Sequence, residues 1–353
     1  MLSATFNNVF IESMAVNLPS KRVTSEEIEE RLAPLYERLN IPKGTFEKLT
    51  GIRSRYFWEN GAMPSQVATV AGHKALKEIG FPKKYIKALF SCSITRDYFE
   101  PATACLIHHE LGLEETAMVT DVSNACLGFM NGIFMMATLI ESGTVPAGIV
   151  LSGETIYKPI DYCINYILEH EELSRSELLN LLPTLTLGSG AVAYVLAHRD
   201  IATNTHRILG GVGRSATRHH NLCNGNGDYY VAQLSGFDPI MTTESSKLVS
   251  SAAKLGRKTW KEFSKLFGWT KDDVDHIFCH QVGKQVNGSF YKTIGLDGSK
   301  EFTIYQEYGN LASAALPTAL VIGAKEKDIK QGDKILLTGF GSGLNSLFLG
   351  LEW

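Results

Sequence analysis

The chain has 353 residues, of which 44% are hydrophobic and 20% charged, the balance of an ordinary globular protein with surface enough for two domains or one large one. A net charge of −3 argues against a nucleic-acid partner, which needs a clustered basic face. The six cysteines, at 92, 105, 126, 163, 223 and 279, show no CxxC spacing, which argues against a zinc knuckle or thioredoxin-type site, and a chain of this size needs no disulfides.

Met1 to Asn8 shows no basic or apolar leader, and the longest apolar stretch, 125–140, is interrupted by Asn131 and too short for a bilayer. A cytoplasmic protein without a membrane span is expected. In chain order, residues 7–17 read as a first strand and 21–39 as a charged helix starting near Ser25. Residues 51–58 read as a turn into an aromatic and basic segment. A helix is predicted over 65–79, with Ser65 as its cap and Gly80 behind it. Residues 119–122 read as a strand, Ser123 to Ala125 as a small-residue turn, and 127–140 as a helix apolar on most sides. Cys126 falls at that joint, where unpaired N–H groups and the helix dipole favour the nucleophilic thiolate. The alternative is a buried structural cysteine. Residues 155–183 mix charged and apolar positions at helical spacing, 185–197 read as a Gly-interrupted strand, and 214–228 as a polar surface loop.

An internal echo organises the chain. Residues 75–90 parallel 263–278: Gly80 matches Gly268, Phe81 matches Trp269, Ile86 matches Val274 and Phe90 matches Phe278, all at one offset. A second stretch, 142–153, echoes 331–339. Each half reads helix, loop, strand, joint, helix, turn, strand, which is a duplicated α/β unit. His280 then occupies a strand end, and in parallel α/β sheets ligands gather outside the carboxyl ends of strands. The place equivalent to the Cys126 joint is Tyr308 to Ser313, which puts Asn310 before the apolar helix 312–324. If a pseudo-twofold axis relates the halves, Cys126, His280 and Asn310 converge as a thiolate, an imidazole and an amide donor, an acyl-transfer set. Taken singly, His280 reads as a core histidine and Asn310 as a helix cap. The glycine-rich Gly339 to Asn345 can bring a backbone N–H close to a thioester oxygen.

Other motifs fail. Gly211-Val-Gly-Arg-Ser-Ala216 matches GxGxxA but is followed by a His/Asn-rich loop where a dinucleotide site needs a helix. Ser189 and Ser342 lack the GxSxG frame. His219-His220 reads as a solvated pair, so no metal site is expected.

Asn124-Ala-Cys-Leu-Gly-Phe129, Cys279-His-Gln281, Tyr308-Gly-Asn-Leu-Ala-Ser-Ala314 and Gly341-Ser-Gly343 together resemble the thiolase-fold condensing enzymes, near ketoacyl synthase III, over essentially the whole chain. The resemblance implies an α/β, thiolase-like five-layer αβαβα sandwich of two pseudo-twofold-related halves, working as a homodimer. Residues 1–200 are the expected N-terminal half, carrying Cys126 with a helical insertion at 155–183. Residues 207–353 are the expected C-terminal half, carrying His280 and Asn310. By resemblance, Cys126 takes the acyl group from a thioester, His280 and Asn310 hold the second substrate's thioester oxygen, and the backbone N–H groups of Cys126 and Ser342 form the oxyanion hole. Acyl-CoA is the substrate and no cofactor is implied.

Arg31 to Leu39, Thr95 to Ala104, Arg214 to Thr217 and Asn221 to Asn226 look closer to the OleA-type enzymes of long-chain olefin synthesis, which join two fatty acyl-CoA molecules head to head. Two departures from the usual synthase III pattern point the same way: Gly283 stands where an Asn follows His-Gln, and the N-terminal Asp-Glu-Trp-Ile stretch is missing. A malonyl thioester makes its carbanion by losing carbon dioxide, whereas a plain acyl thioester must lose an α-proton to a base. In OleA-type enzymes the glutamate matching Glu100 reaches into the partner subunit's site; without the resemblance, Glu100 reads as an exposed loop glutamate. The expected function is non-decarboxylative Claisen condensation of two acyl-CoA molecules to a 2-alkyl-3-oxoacyl product. The runner-up is a decarboxylating 3-oxoacyl-ACP synthase III using malonyl-ACP, and a Cys/His/Asn thioesterase or a non-catalytic acyl-CoA binder are the other classes. Arg53, Arg55 and Arg214 are the basic candidates for CoA phosphates. Downstream olefin-pathway enzymes or an acyl carrier protein are the further partners to consider.

Overall fold

The computed structural model describes residues 2–59, 61–225 and 241–353. Its strands are β1 (Leu2–Thr5), β2 (Val9–Asn17), β3 (Lys21–Thr24), β4 (Ser54–Phe57), β5 (Ile86–Ser91), β6 (Met118–Asp121), β7 (Ala147–Glu154), β8 (Gly190–His198), β9 (Arg207–Ser215), β10 (Cys223–Gly225), β11 (Met241–Thr243), β12 (His276–Cys279), β13 (Lys334–Gly341) and β14 (Asn345–Glu352). The main sheet runs β12-β13-β14-β9-β2-β8-β7-β5-β6, with β1 on β9. β3 pairs with β4, and β10 with β11, as separate ribbons.

The sheet order repeats outward from its middle. From β2 the chain steps antiparallel to β8, antiparallel to β7, then parallel to β5 and β6. From β9 it steps antiparallel to β14, antiparallel to β13, then parallel to β12. Leu89 of β5 pairs with Val119 of β6, and at the matching place Ile277 of β12 bridges Glu301. In the main sheet, β2 and β9 are register partners at Phe10 and Arg207 alone.

Side chains alternate across a strand, so each strand feeds two cores. Ala88 and Phe90 point into a central cluster, Leu89 into an outer one. Phe278 joins the same central cluster, while Ile277 and Cys279 point the other way. The central cluster is filled by the helices Gly128–Glu141 and Ala315–Glu326. Pro64–Glu78 and Thr103–Leu111 cover the outer face of the first set of strands, and Ser245–Phe267 and Lys284–Ile294 that of the second. Helix, sheet, helix, sheet, helix is the five-layer α/β order that the resemblance implied. The echoed pairs hold in detail: Gly80 and Gly268 both end helices at positive φ, and Phe90 and Phe278 are both fully buried.

Some elements differ from their sequence reading. The stretch 21–39 is a strand and two short helices. Thr24 caps Ser25–Arg31 with a reciprocal bond to Glu27, and Pro34, which has no N–H to continue that helix, opens Ala33–Arg38. Ser65 is not a cap. Met63 holds that place, and the Ser65 hydroxyl donates to Asp97 at 2.5 Å. Residues 155–183 hold two helices, Tyr157–Glu169 and Arg175–Leu185. Within 214–228, residues 214–215 finish β9 and 223–225 form β10, while 226–228 lie outside the described residues.

Phe278 sits in the central layer with no exposure, packed near Phe302 at 6.2 Å between ring centres. Phe278→Ala is expected to lower the unfolding free energy by about 3–5 kcal/mol, read by equilibrium urea titration.

Candidate active site

The helix Gly128–Glu141 begins two residues after Cys126, and Ala125 before it has φ 47°. Gly128 is required there, because a Cβ would stand 2.7 Å from the Cys92 carbonyl oxygen. The second central helix repeats this approach: Ala312 has φ 53°, three residues before the helix starts, just as Ala125 does. Asn310 is set by Gly309, at φ 69°, whose Cβ would lie 2.7 Å from the Thr186 carbonyl. Its backbone is clamped by Thr186 and Gly188, each at 2.9 Å. The Asn310 Oδ1 accepts from the Ala312 N–H at 3.0 Å, which turns its NH2 group outward. His280 follows β12, with its N–H bonded to the Thr338 carbonyl at 3.0 Å. Gln281 beside it is fully buried and bonds Phe302, Ile304 and Tyr305, pinning this turn to the segment leading to Asn310.

Cys126, His280, Asn310 and Ser342 all line one cavity of about 1030 Å³, with mostly apolar walls that include Leu187, Leu248, Val249 and Phe290. Such a space holds a long hydrocarbon chain as well as a thioester. Burial pushes the Cys126 thiol up to about 12; the nearby Cys223 and Glu154 add to this, and its own backbone N–H works against it. This direction runs against the expected thiolate, at a side chain that is partly buried and lines the cavity. Burial also pulls His280 down to about 4, so its imidazole is neutral. Its Nδ1 is buried without a protein partner among the described residues. A neutral imidazole can take the thiol proton or donate an N–H to a carbonyl oxygen.

The other expected residues fall elsewhere. Glu100 is exposed, on a loop whose neighbours Tyr98 and Phe99 are 53% and 82% exposed, and it does not line the cavity of its own chain. Arg55 is wholly buried, bonded to the Ser25 hydroxyl and the Leu185 carbonyl and facing the Phe46 ring. It cannot reach a CoA phosphate, and its reading as a basic candidate is corrected. Arg53 pairs with Glu307 and Arg214 with Glu262, the latter at 3.3 Å, and neither lines the cavity. The lysine and arginine that do line it are Lys158 and Arg96, both exposed. Sequence reasoning missed these two, along with Cys223 on the cavity wall and Glu154 behind it. Glu154 had a signal: a carboxylate ending an otherwise uncharged strand, one residue past the echoed stretch. Among the described residues no cluster of three or more His, Cys, Asp or Glu is placed to hold a metal ion.

The chain is similar to known proteins over essentially its whole length. Residues 265–353 match the family 3-Oxoacyl-[acyl-carrier-protein (ACP)] synthase III C terminal. The acyl-CoA:acyl-CoA alkyltransferase of Shewanella oneidensis is 35% identical over 351 residues, covering 99% of both chains. That of Xanthomonas campestris is 34% identical over 348 residues, again covering 99% of both. A cerulenin-bound structure of Xanthomonas campestris OleA superposes with a TM-score of 0.92, at 34% identity, covering 99% of this chain and 98% of that one. Fold and matches define a condensing acyltransferase of the ketoacyl synthase III kind. Within that class the chain belongs to the family of acyl-CoA:acyl-CoA alkyltransferases.

With the Cys126 thiol at about 12, iodoacetamide alkylation of its peptide is expected to rise about tenfold per pH unit across pH 7–10. A plateau near pH 8.5, read by peptide mass spectrometry, would show an ordinary thiol instead.

Proposed function

We propose that the chain condenses two fatty acyl-CoA molecules without decarboxylation, through an acyl group carried on Cys126. The observation that carries this is the meeting of Cys126, His280 and Asn310 on one apolar cavity. The Cys126 sulfur gives its proton to His280 and attacks the first thioester; the carbonyl oxygen draws on the N–H groups of Cys126 and Ser342, and CoA leaves with the proton. A second acyl-CoA places its thioester oxygen against His280 and the Asn310 NH2 group. The partner's Glu100 takes the α-proton, and the enolate carbon attacks the acyl carbonyl, breaking the bond to Cys126. The product is a 2-alkyl-3-oxoacyl-CoA, and hydrolysis of its thioester gives the β-keto acid.

A base from a second copy fits the position of Glu100, exposed on an apolar loop and off its own cavity. In solved forms of Xanthomonas OleA, a glutamate and a cysteine have each been substituted, and they stand at the same sequence separation as Glu100 and Cys126. The proposal includes a cytoplasmic homodimer, each chain built of halves at 1–200 and 207–353, a division that the repeated strand order supports. No helix among the described residues is long and apolar enough to cross a membrane. Arg96 and Lys158, exposed on the cavity, take over the CoA-phosphate role from the arginines chosen on sequence.

The C-terminal match to synthase III favours a second reading, decarboxylating condensation with malonyl-ACP. Incubation with long-chain acyl-CoA alone separates them. An acyl adduct on Cys126 by intact mass, and a ketone derived from two chains on extraction, are expected. Adduct without the ketone, with carbon dioxide released from malonyl-ACP, would favour the second reading; free fatty acid as sole product would favour a thioesterase. Cys126→Ala is expected to lose the adduct entirely. Glu100→Ala should keep the adduct and lose condensation by at least about a hundredfold. Arg96→Ala with Lys158→Ala should raise the KM for acyl-CoA by about tenfold, where Arg55→Met leaves it unchanged.

A further inference from the structure

Glu154 ends β7 with no exposed surface and is not among the residues that line the cavity, so it cannot touch substrate. Its carboxylate nevertheless collects four donors. One oxygen accepts from the Ile94 N–H at 2.9 Å and the Ser313 hydroxyl at 2.6 Å. The other accepts from the Thr95 N–H at 3.1 Å and the Thr95 hydroxyl at 3.0 Å. Burial pushes its pKa up, and these four bonds work against the rise. Ile94 and Thr95 open the loop that carries Glu100. Ser313 belongs to the turn that carries Asn310, and Ser152 bonds it from behind at 2.7 Å. A single buried carboxylate thus fastens together two segments far apart in sequence.

Resting on the reading of Glu100 as the base that serves the partner's cavity, we propose that Glu154 is a positioning residue: it holds the root of that loop against the Asn310 turn of its own subunit. The far end of the loop is held separately, by Asp97 on the Ser65 N–H and hydroxyl, and by Asp121 capping Thr103–Leu111 through the Thr103 and Ala104 N–H groups. Between these anchors Tyr98, Phe99 and Glu100 are exposed, and the first two also edge the chain's own cavity, which Glu100 does not line. Glu154 therefore joins the substrate-oxygen site of one subunit to the proton-abstracting arm it lends to the other. An amide cannot replace it. Both carboxylate oxygens receive a loop N–H, so glutamine in either orientation turns an NH2 group toward a buried N–H donor.

The test uses the full-length dimer with tetradecanoyl-CoA, following the Cys126 adduct by intact mass and the two-chain product by extraction. Glu154→Gln is expected to acylate Cys126 within about twofold of the unaltered protein and to condense about tenfold more slowly, with no further loss when combined with Glu100→Ala. Equal losses in the two steps, or unchanged condensation, would overturn the proposal. Mixed dimers show the direction of action. With Cys126→Ala on one subunit and Glu100→Ala on the other, a single complete site remains. Adding Glu154→Gln to the Cys126→Ala subunit, which lends the base, should cost the larger part of the activity; a larger loss from placing it on the Glu100→Ala subunit counts against the idea. Should Glu154→Gln not fold, Thr95→Val removes one donor from the same carboxylate and is expected to show the same split at about threefold. If the unaltered protein forms no two-chain product, or Glu100→Ala is fully active, the reading of the reaction itself fails; if those controls behave and Glu154→Gln is normal, the positioning role alone fails.

Discussion

The site depends on how the two central helices begin within the layer between the sheets. Each is approached through an alanine at positive φ, a conformation that costs an L-residue about 1 kcal/mol or more and persists only where its surroundings overdetermine it. Here the surroundings are close-packed. Gly128 lies against the Cys92 carbonyl and Gly309 against that of Thr186, so neither bend can relax by a shift of backbone. The packed layer thus holds the chain in an unfavourable form at the start of each helix, and the bends present Cys126 and Asn310 to a common cavity. Fold and chemistry share one constraint.

The same burial sets the protonation states. A thiol near 12 and an imidazole near 4 leave both groups neutral at rest, so the Cys126 and His280 pair stores no charge in an apolar space. An ion pair there would be costly to desolvate and would repel fatty chains. Neutral partners keep the apolar cavity free of resting charge.

Much of this was legible in the chain because duplication writes the same pattern twice. The offset between Gly80 and Gly268 located β5 and β12, and through them His280; the apolar helices located Cys126 and Asn310. What stayed hidden was decided by distant contacts. Ser65 looks like a cap until Asp97 takes its hydroxyl. Arg55 looks like a surface cation, yet the Phe46 ring and the Leu185 carbonyl enclose it. The helix-end argument for a Cys126 thiolate was sound locally and lost to burial, a quantity that no window of sequence contains.

The two halves are alike in backbone and unlike in use, and Ser313 shows where they part. It follows Ala312 as Cys126 follows Ala125, so the fold offers a nucleophile's place at both joints. At the second joint the side chain is 1% exposed, and its hydroxyl is spent on Glu154. A serine so placed does not line the cavity, and its bonds to Glu154 and Ser152 make it a tether. Cys126, by contrast, lines the cavity. One joint opens on the cavity and the other is a fastening, and it is the second that Glu154 holds.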